Sequence, residues 1–425
     1  MKLKIHALGI VLASSAAPAF AQYGYSAPQQ PPQATATAQQ GQQPAQEQQN
    51  EPKIKPSPKA LEAIVALQNA VRAKDWASVP EKLTAAQAVA KTKEDKYLIG
   101  IFQREAALGQ HDNAALAAAV NAITTSGFAL DAEKTSALFL DLGVQQFNAN
   151  QLNEAAASFE RAAQVNPRDP QPLEFLAQTK YKLGQKADSA AAYQRAIKAL
   201  LAAGQKPQGS LYNNAVVAAY EGNSPLAVEL ARQWVAAYPS ADSWRNAIAI
   251  YRNMTKPDVE GTLDLLRLMQ ATGALSQPAD YNLYATAAAD QSNFNEAKAV
   301  IDQGLAAKQI DAASPLFRDT IAGLKTKPIA TEADLATAAK TATSGMALLR
   351  IGDRYYALGQ YAKAVDLYRQ SMGKPGVDAN VANLHIGMAL ARAGDKAGAM
   401  TALNAVTGDR ADIAKFWLLY VQGRA

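Results

Sequence analysis

A short sequence motif recurs along this chain and restricts the folds that it can adopt. The tripeptide Leu-Gly-Gln occurs at 108–110, 183–185 and 358–360. A small residue stands five positions after each of these glycines. Gly359 and Gly394 occupy equivalent places in successive copies and are 35 residues apart (394 − 359). Such a period indicates tandem structural units, each too small to bury a core alone.

The repeating region begins after Pro58 and has the pattern of amphipathic helices. Apolar residues recur three and four positions apart in alanine-rich segments, and helix-breaking residues interrupt these segments at close intervals. This periodicity favours helices of about 12 residues over strands. The sequence therefore predicts an all-α chain.

Within one period, the spacing of large and small residues resembles the tetratricopeptide repeat, a helix-turn-helix unit. The stretches at 139–167 and 351–371 carry this resemblance most clearly. The resemblance implies a right-handed α-solenoid of stacked hairpins over residues 59–425. The units near 241–277 and 312–344 match poorly, which places the continuity of the superhelix in question.

The small and aromatic residues of the unit at 351–371 are interpreted as packing residues. We expect Gly352 and Ala364 to let two helices approach closely, and Gly359 to end the first helix in a left-handed conformation. Tyr368 is expected to fill the space toward the next pair. Aromatic residues at helical spacing usually belong to the core, which favours packing over a ligand site.

The first 58 residues differ from the repeats. Two lysines, an apolar run and the sequence Ala19-Phe20-Ala21 are typical of a cleaved signal peptide. We therefore expect residues 1–21 to be removed and the protein to be periplasmic or secreted. Residues 22–58 are rich in Gln, Pro and Ala and are predicted to form a disordered leader, which serves either as a spacer or as a binding tail.

Composition excludes several classes of function. Cysteine is absent, which excludes disulfides, thiol catalysis and lipid attachment through cysteine. The formal net charge of +5 comes from interspersed acids and bases, so no nucleic-acid partner is expected. After the signal peptide, no apolar stretch reaches the roughly 18 residues of a membrane span, so we do not expect an integral membrane protein.

Motifs for catalysis or cofactor binding are missing from the sequence. Neither His111 nor His385 has a second histidine or an acid cluster at metal spacing. Glycine-rich phosphate loops and nucleophile elbows are absent. We therefore expect that the protein is not an enzyme and that it binds neither a cofactor nor a metal ion. The enzyme alternative is a cell-wall glycosidase similar to the helical lytic transglycosylases, but the repeats leave no room for a separate catalytic lobe.

The family resemblance also implies a binding surface. In tetratricopeptide repeats the first helix of each pair lines the concave face, and an asparagine two residues after its first large apolar position often binds an extended peptide. Asn213 and Asn246 occupy this position, and Asn282 continues the row. Arg245 and Arg252 could add an anion contact. The expected partner is a protein or peptide.

The terminal helix predicted at 411–422 is apolar nearly all round, with Phe416, Trp417 and Tyr420 among its residues. It either docks on the previous pair or forms a self-association or partner surface. The function that the sequence indicates is a non-enzymatic interaction scaffold of the bacterial cell envelope. A purely structural spacer is the alternative.

Overall fold

The computed structural model describes residues 54–423, so the predicted signal peptide and most of the predicted leader lie outside the described residues. These residues form 21 α-helices and contain no strand. The prediction of an all-α chain of helix-turn-helix units is confirmed. Between residues 54 and 423, no helix combines the length and hydropathy required to cross a bilayer.

The helices are α1 Leu61–Arg72, α2 Val79–Val89, α3 Lys93–Gln110, α4 Asn113–Thr124, α5 Ala132–Asn148, α6 Leu152–Val165, α7 Gln171–Lys182, α8 Lys186–Ala202, α9 Gly209–Glu221, α10 Leu226–Ala237, α11 Ala241–Thr255, α12 Val259–Ala271, α13 Pro278–Asp290, α14 Phe294–Ala306, α15 Pro315–Lys325, α16 Glu332–Thr341, α17 Gly345–Ala357, α18 Tyr361–Met372, α19 Ala379–Ala393, α20 Lys396–Asn404 and α21 Ala411–Gly423.

Two of the three Leu-Gly-Gln copies end a helix as expected. Gly184 and Gly359 follow α7 and α17 with φ angles of +75° and +72°, a region that costs other residues about 1–2 kcal/mol. The first copy differs, because α3 continues through Gly109 to residue 110 and His111 takes the left-handed conformation instead. The bare Cα of Gly109 leaves room for the ring of Trp76, since a Cβ there would lie 2.6 Å from it.

Glycines inside the helices allow close contact between the two members of a hairpin. A Cβ on Gly352 would lie 2.5 Å from Cε1 of Tyr368, and one on Gly143 would lie 2.6 Å from Cε1 of Phe159. Ala364 is fully buried, and the Tyr368 ring also meets His385 of the next hairpin at 5.3 Å. The packing interpretation of these residues is confirmed, with Tyr368 as the large partner of Gly352.

The sequence period reappears as polar contacts between successive hairpins. Side chains separated by 35 to 40 positions bond to each other along the first part of the chain. These contacts join Arg104 to Asp141, Arg195 to Glu160, and Tyr181 to Glu221. Equivalent positions of neighbouring repeats therefore lie side by side.

The described residues divide into two compact units, with a boundary after Leu226. In the first unit, which contains α1 to α9, each helix packs against its nearest neighbours in the chain. Its core consists mainly of alanine together with leucine, isoleucine, valine and phenylalanine. This unit is a regular row of hairpins.

The first unit is anchored at its start by a buried carboxylate. Asp95 of α3 accepts hydrogen bonds from the backbone N–H and the hydroxyl of Ser57 at 2.7 and 2.8 Å, and from the N–H of Thr92 at 3.1 Å. Burial opposes ionisation, but the hydrogen bonds outweigh it and hold the pKa of Asp95 well below its usual range. The structured region therefore includes Ser57, which lies inside the predicted leader.

The second unit departs from a simple row at the two places where the repeat pattern is weakest. Helix α14 packs against α17 as well as α15, so α15 and α16 are not needed to connect α14 with α17. Helix α16 buries only Leu335, whereas α12 buries eight residues, including Asp264 and Arg267. Helix α12 is thus a central element of this unit, and α15 and α16 are peripheral ones.

Helix α21 docks on α11 and α12 in addition to its predecessor α20. Phe416 and Trp417 have no exposed area. The Phe416 ring meets Tyr251 edge-on at 5.6 Å, and the Trp417 indole donates to the carbonyl oxygen of Asp264 at 3.2 Å. The expectation of a partner surface at Phe416 and Trp417 is therefore wrong, because both residues belong to the core. Tyr420 is partly exposed.

Candidate binding site

The three predicted asparagines are partly exposed on the first helices of their hairpins. Asn213 lies on α9 of the first unit, whereas Asn246 on α11 and Asn282 on α13 belong to the second unit. Leu211 and Trp244, the large apolar residues two positions before Asn213 and Asn246, are buried as the repeat pattern requires. None of the three amides is hydrogen-bonded to another side chain or backbone group within residues 54–423.

An ion pair joins the two helices that carry Asn246 and Asn282. The Nε of Arg245 lies 2.7 Å from Oδ2 of Asp280, and both side chains are mostly buried. The charge of Arg245 is therefore matched by a carboxylate of the protein itself. Arg252 lies two turns further along α11, is partly buried and also interacts within the protein.

Asn295 shows how the amide of an asparagine can bind a peptide backbone. Asn295 of α14 donates from Nδ2 to the carbonyl oxygen of Ala330 at 2.8 Å, and the Ala330 N–H donates back to Oδ1 at 3.1 Å. Residues 328–331 have no regular secondary structure. This two-point pairing uses both the donor and the acceptor of the amide and reads no side chain.

The densest group of charges in the described residues is buried in the second unit. The guanidinium of Arg267 donates from Nε and Nη2 to the two oxygens of Glu296 at 2.8 Å each. Its Nη1 lies 3.0 Å from Asp264 and 3.6 Å from Asp353. Burial opposes the charge of the guanidinium, but Glu296 and Asp353 outweigh it and raise the pKa of Arg267 further.

His385 completes this buried ion cluster. Its Nε2 lies 3.1 Å from Asp264 and its Nδ1 lies 3.0 Å from Asp353. Burial disfavours the imidazolium, but the two carboxylates outweigh burial and raise the pKa of His385 to about 10. Burial of Asp353 opposes its ionisation, but the charges of His385 and Arg267 outweigh burial and hold the pKa of Asp353 well below its usual range. The two neighbouring carboxylates therefore favour the imidazolium form of His385 at neutral pH.

The sequence predicts no metal site or catalytic triad at His385, because neither a second histidine nor an acid cluster stands near it at metal spacing. Asp353 lies 32 residues before it (385 − 353), which is close to one repeat period, and this spacing was the available signal. Asp264 lies 121 residues before it (385 − 264), and no periodic pattern points to that contact.

The ion cluster is suited to holding helices together rather than to chemistry. Its side chains are at most 3% exposed, so a substrate cannot reach them. The carboxylates of Asp264, Glu296 and Asp353 face two buried cations, Arg267 and His385. The partly exposed Arg350 lies 3.8 Å from Asp353. No group of His, Cys, Asp or Glu in residues 54–423 has an arrangement that could hold a metal ion. The cluster fixes α12 against α14, α17 and α19.

Comparison with known proteins places part of this architecture in a family. The family model described as tetratricopeptide repeat matches residues 346–373, which span α17 and α18. A search of curated proteins finds no match.

Two of the solved structures that resemble this chain are tetratricopeptide repeat proteins. The chain is 13% identical to a tetratricopeptide repeat protein from Parabacteroides merdae, covering 69% of this chain and 99% of that one with a TM-score of 0.27. It is 18% identical to the thermophilic protein TTC0263 from Thermus thermophilus, covering 60% and 99% with a TM-score of 0.17. Because both TM-scores are low, the assignment rests on the repeat match. The protein therefore contains a tetratricopeptide repeat at residues 346–373, within an all-helical chain of hairpins.

Proposed function

We propose that the protein is a non-enzymatic scaffold of the bacterial cell envelope that binds a protein or peptide partner through backbone-directed asparagine contacts. The contact residues are Asn213 in the first unit, and Asn246 together with Asn282 in the second. The observation that carries this proposal is that all three amides are partly exposed and make no hydrogen bond within residues 54–423. The pairing of Asn295 with the Ala330 backbone shows the kind of contact that such an amide can make. The signal-peptide pattern at 1–21 supports the envelope location.

Hydrogen-bond energetics define what these asparagines contribute. Each bond adds about 1 kcal/mol net, so two bonds each at Asn246 and Asn282 contribute about 4 kcal/mol. That amount corresponds to a Kd of about 1 mM. The asparagines therefore set the register of a partner segment, while apolar and charged contacts along the same helices supply the rest of the affinity.

Site-specific photocrosslinking tests this proposal. A benzoylphenylalanine is placed one helical turn from each asparagine, at Ser210, Ala249 or Thr286, which are all at least partly exposed. Matched controls carry it at Asp188 and Ala299, exposed residues on the second helices α8 and α14. The purified protein is then irradiated in an envelope extract.

We expect a defined crosslinked product at one or more of the three test positions and none at the control positions. Substituting the adjacent asparagine with alanine should reduce the yield. Equal crosslinking at test and control positions, or a yield that is unchanged by the alanine substitutions, would show that the asparagines do not contact a partner.

A further inference from the structure

We propose that the N-terminal turn of α14 is a second binding site for an extended protein segment, occupied here by the chain's own residues 327–330 as an exchangeable ligand. This site is separate from the asparagine contacts proposed above, because it lies on the second helix of a hairpin and uses other residues. It adds an internal competitor to the binding function of the protein.

The contacts at this site are those of peptide recognition. Asn295 is 8% exposed and pairs with both the N–H and the carbonyl oxygen of Ala330. The ammonium of Lys327 lies 5.3 Å from the centre of the Phe294 ring, a cation–π distance. The backbone of one residue and a cation three positions before it are therefore recognised together.

The occupying segment connects α15 and α16, two helices of the second unit that bury few residues. Helix α15 buries Phe317 and Leu324, and α16 buries Leu335, which is far less than neighbouring helices bury. At the start of α16 an exposed ion pair joins Glu332 to Lys363, and such pairs contribute little. Elements with few buried apolar contacts open locally before the rest of a protein unfolds.

Release of residues 327–330 would leave the remainder of the unit intact. Helix α14 already packs against α17, and the buried ion cluster joins these helices through Arg267, Glu296 and Asp353. Phe294 and Asn295 would then be free to bind another segment without loss of their supporting helix.

The site defines the chemistry of its ligand. The segment must be extended, must carry Lys or Arg, and must have a residue with a free backbone N–H three positions later. A tethered segment acts at an effective concentration in the millimolar range. A free segment with the same contacts therefore binds poorly until the tethered one is weakened, which makes the site self-inhibited.

Binding of a synthetic peptide tests this inference directly. The fluorescein-labelled peptide KTKPIATE, which copies residues 325–332, is titrated by anisotropy against the full chain. The proteins compared are the wild type, a Lys327→Ala/Ala330→Pro variant whose own segment is weakened, and that variant with Asn295→Ala added. Lys340→Ala, an exposed substitution on α16, is the matched control.

We expect the peptide to bind the double variant at least about tenfold more tightly than the wild type or Lys340→Ala, because internal competition is reduced. Adding Asn295→Ala, or methylating the peptide nitrogen of the residue that corresponds to Ala330, should weaken binding by about tenfold or more. Equal affinity for wild type and double variant, or binding that survives Asn295→Ala, would overturn the proposal.

Hydrogen exchange provides an independent test if the double variant loses its helical structure. In otherwise wild-type protein, Asn295→Ala should accelerate exchange over residues 326–331 while α14 remains protected. Unchanged exchange there would contradict an amide-held segment. Because these variants leave Asn213, Asn246 and Asn282 intact, the outcome is independent of the crosslinking test of the proposed function.

Discussion

Replacing His385 with leucine is expected to destabilise the second unit strongly. The substitution removes one of two internal cations that face the carboxylates of Asp264, Glu296 and Asp353. Removing one member of a buried ion pair costs about 3–5 kcal/mol, because the remaining charge stays buried without compensation. Leucine is apolar and close in size to histidine, so the lost charge dominates the cost.

The pH dependence gives this prediction a specific sign. The pKa of His385 is raised from an unperturbed 6.5 to about 10, so its stabilising contribution is complete below pH 6.5 and is lost as the pH rises through 10. Between these values the wild type loses about 1.4 kcal/mol per pH unit from this group. From pH 7 to pH 9 the loss is about 3 kcal/mol, and the leucine variant lacks it.

Urea unfolding followed by far-UV circular dichroism at pH 7 and pH 9 measures both effects. Hydrogen exchange over residues 259–271 reports whether the loss is at α12. His111→Asn is the matched control, because His111 is exposed and asparagine tolerates its left-handed backbone. A His385→Leu variant within about 1 kcal/mol of wild type, or one with the same pH dependence, would refute the role assigned to the ion cluster.

Three further predictions concern packing and the start of the fold. Gly352→Ala should lower stability by about 1–3 kcal/mol in thermal melts because its Cβ overlaps Tyr368, whereas Gly323→Ala, which meets nothing within 4 Å, should be neutral or stabilising. Trp417→Ala should cost about 3–5 kcal/mol in urea unfolding, and comparable costs for exposed Lys415→Ala would contradict docking of α21. Asp95→Asn should cost about 1–3 kcal/mol at pH 7. Because the pKa of Asp95 is held below its usual 3.8, its contribution is complete above pH 3.8 and is lost progressively at lower pH, so the difference in melting temperature between wild type and variant should be smaller at pH 2.5 than at pH 5.

The hairpins could be predicted from the sequence because their constraints are local and periodic. Gly352 lies opposite Tyr368 within one repeat, and the same spacing recurs with Gly143 and Phe159. Steric exclusion between two packed helices restricts residue size at fixed positions, and this restriction is visible in a single chain. The helix ends at Gly184 and Gly359 followed from the left-handed conformation that glycine adopts readily, whereas Gly109 lies inside α3.

The ion cluster and the position of α21 could not be predicted in this way. Both depend on α12, which begins within the irregular stretch MTKPDVEGT and buries polar residues that a repeat helix would expose. The contact between Asp264 and His385 joins helices far apart in the chain, so no repeat spacing encodes it. For α21, an apolar helix is compatible with docking and with a partner surface, and only the burial of Trp417 distinguishes the two.

The proposed function is tested most directly by cysteine protection, since the chain contains no cysteine of its own. Single cysteines at Ser210, Ala249 or Thr286 lie beside the three asparagines, and Asp188→Cys is the control. Alkylation rates are compared for purified protein and for protein in envelope extract. We predict slower alkylation beside the asparagines and an unchanged rate at position 188. Alkylation rates at positions 210, 249 and 286 that are the same in purified protein and in extract would contradict binding of a partner at the asparagines.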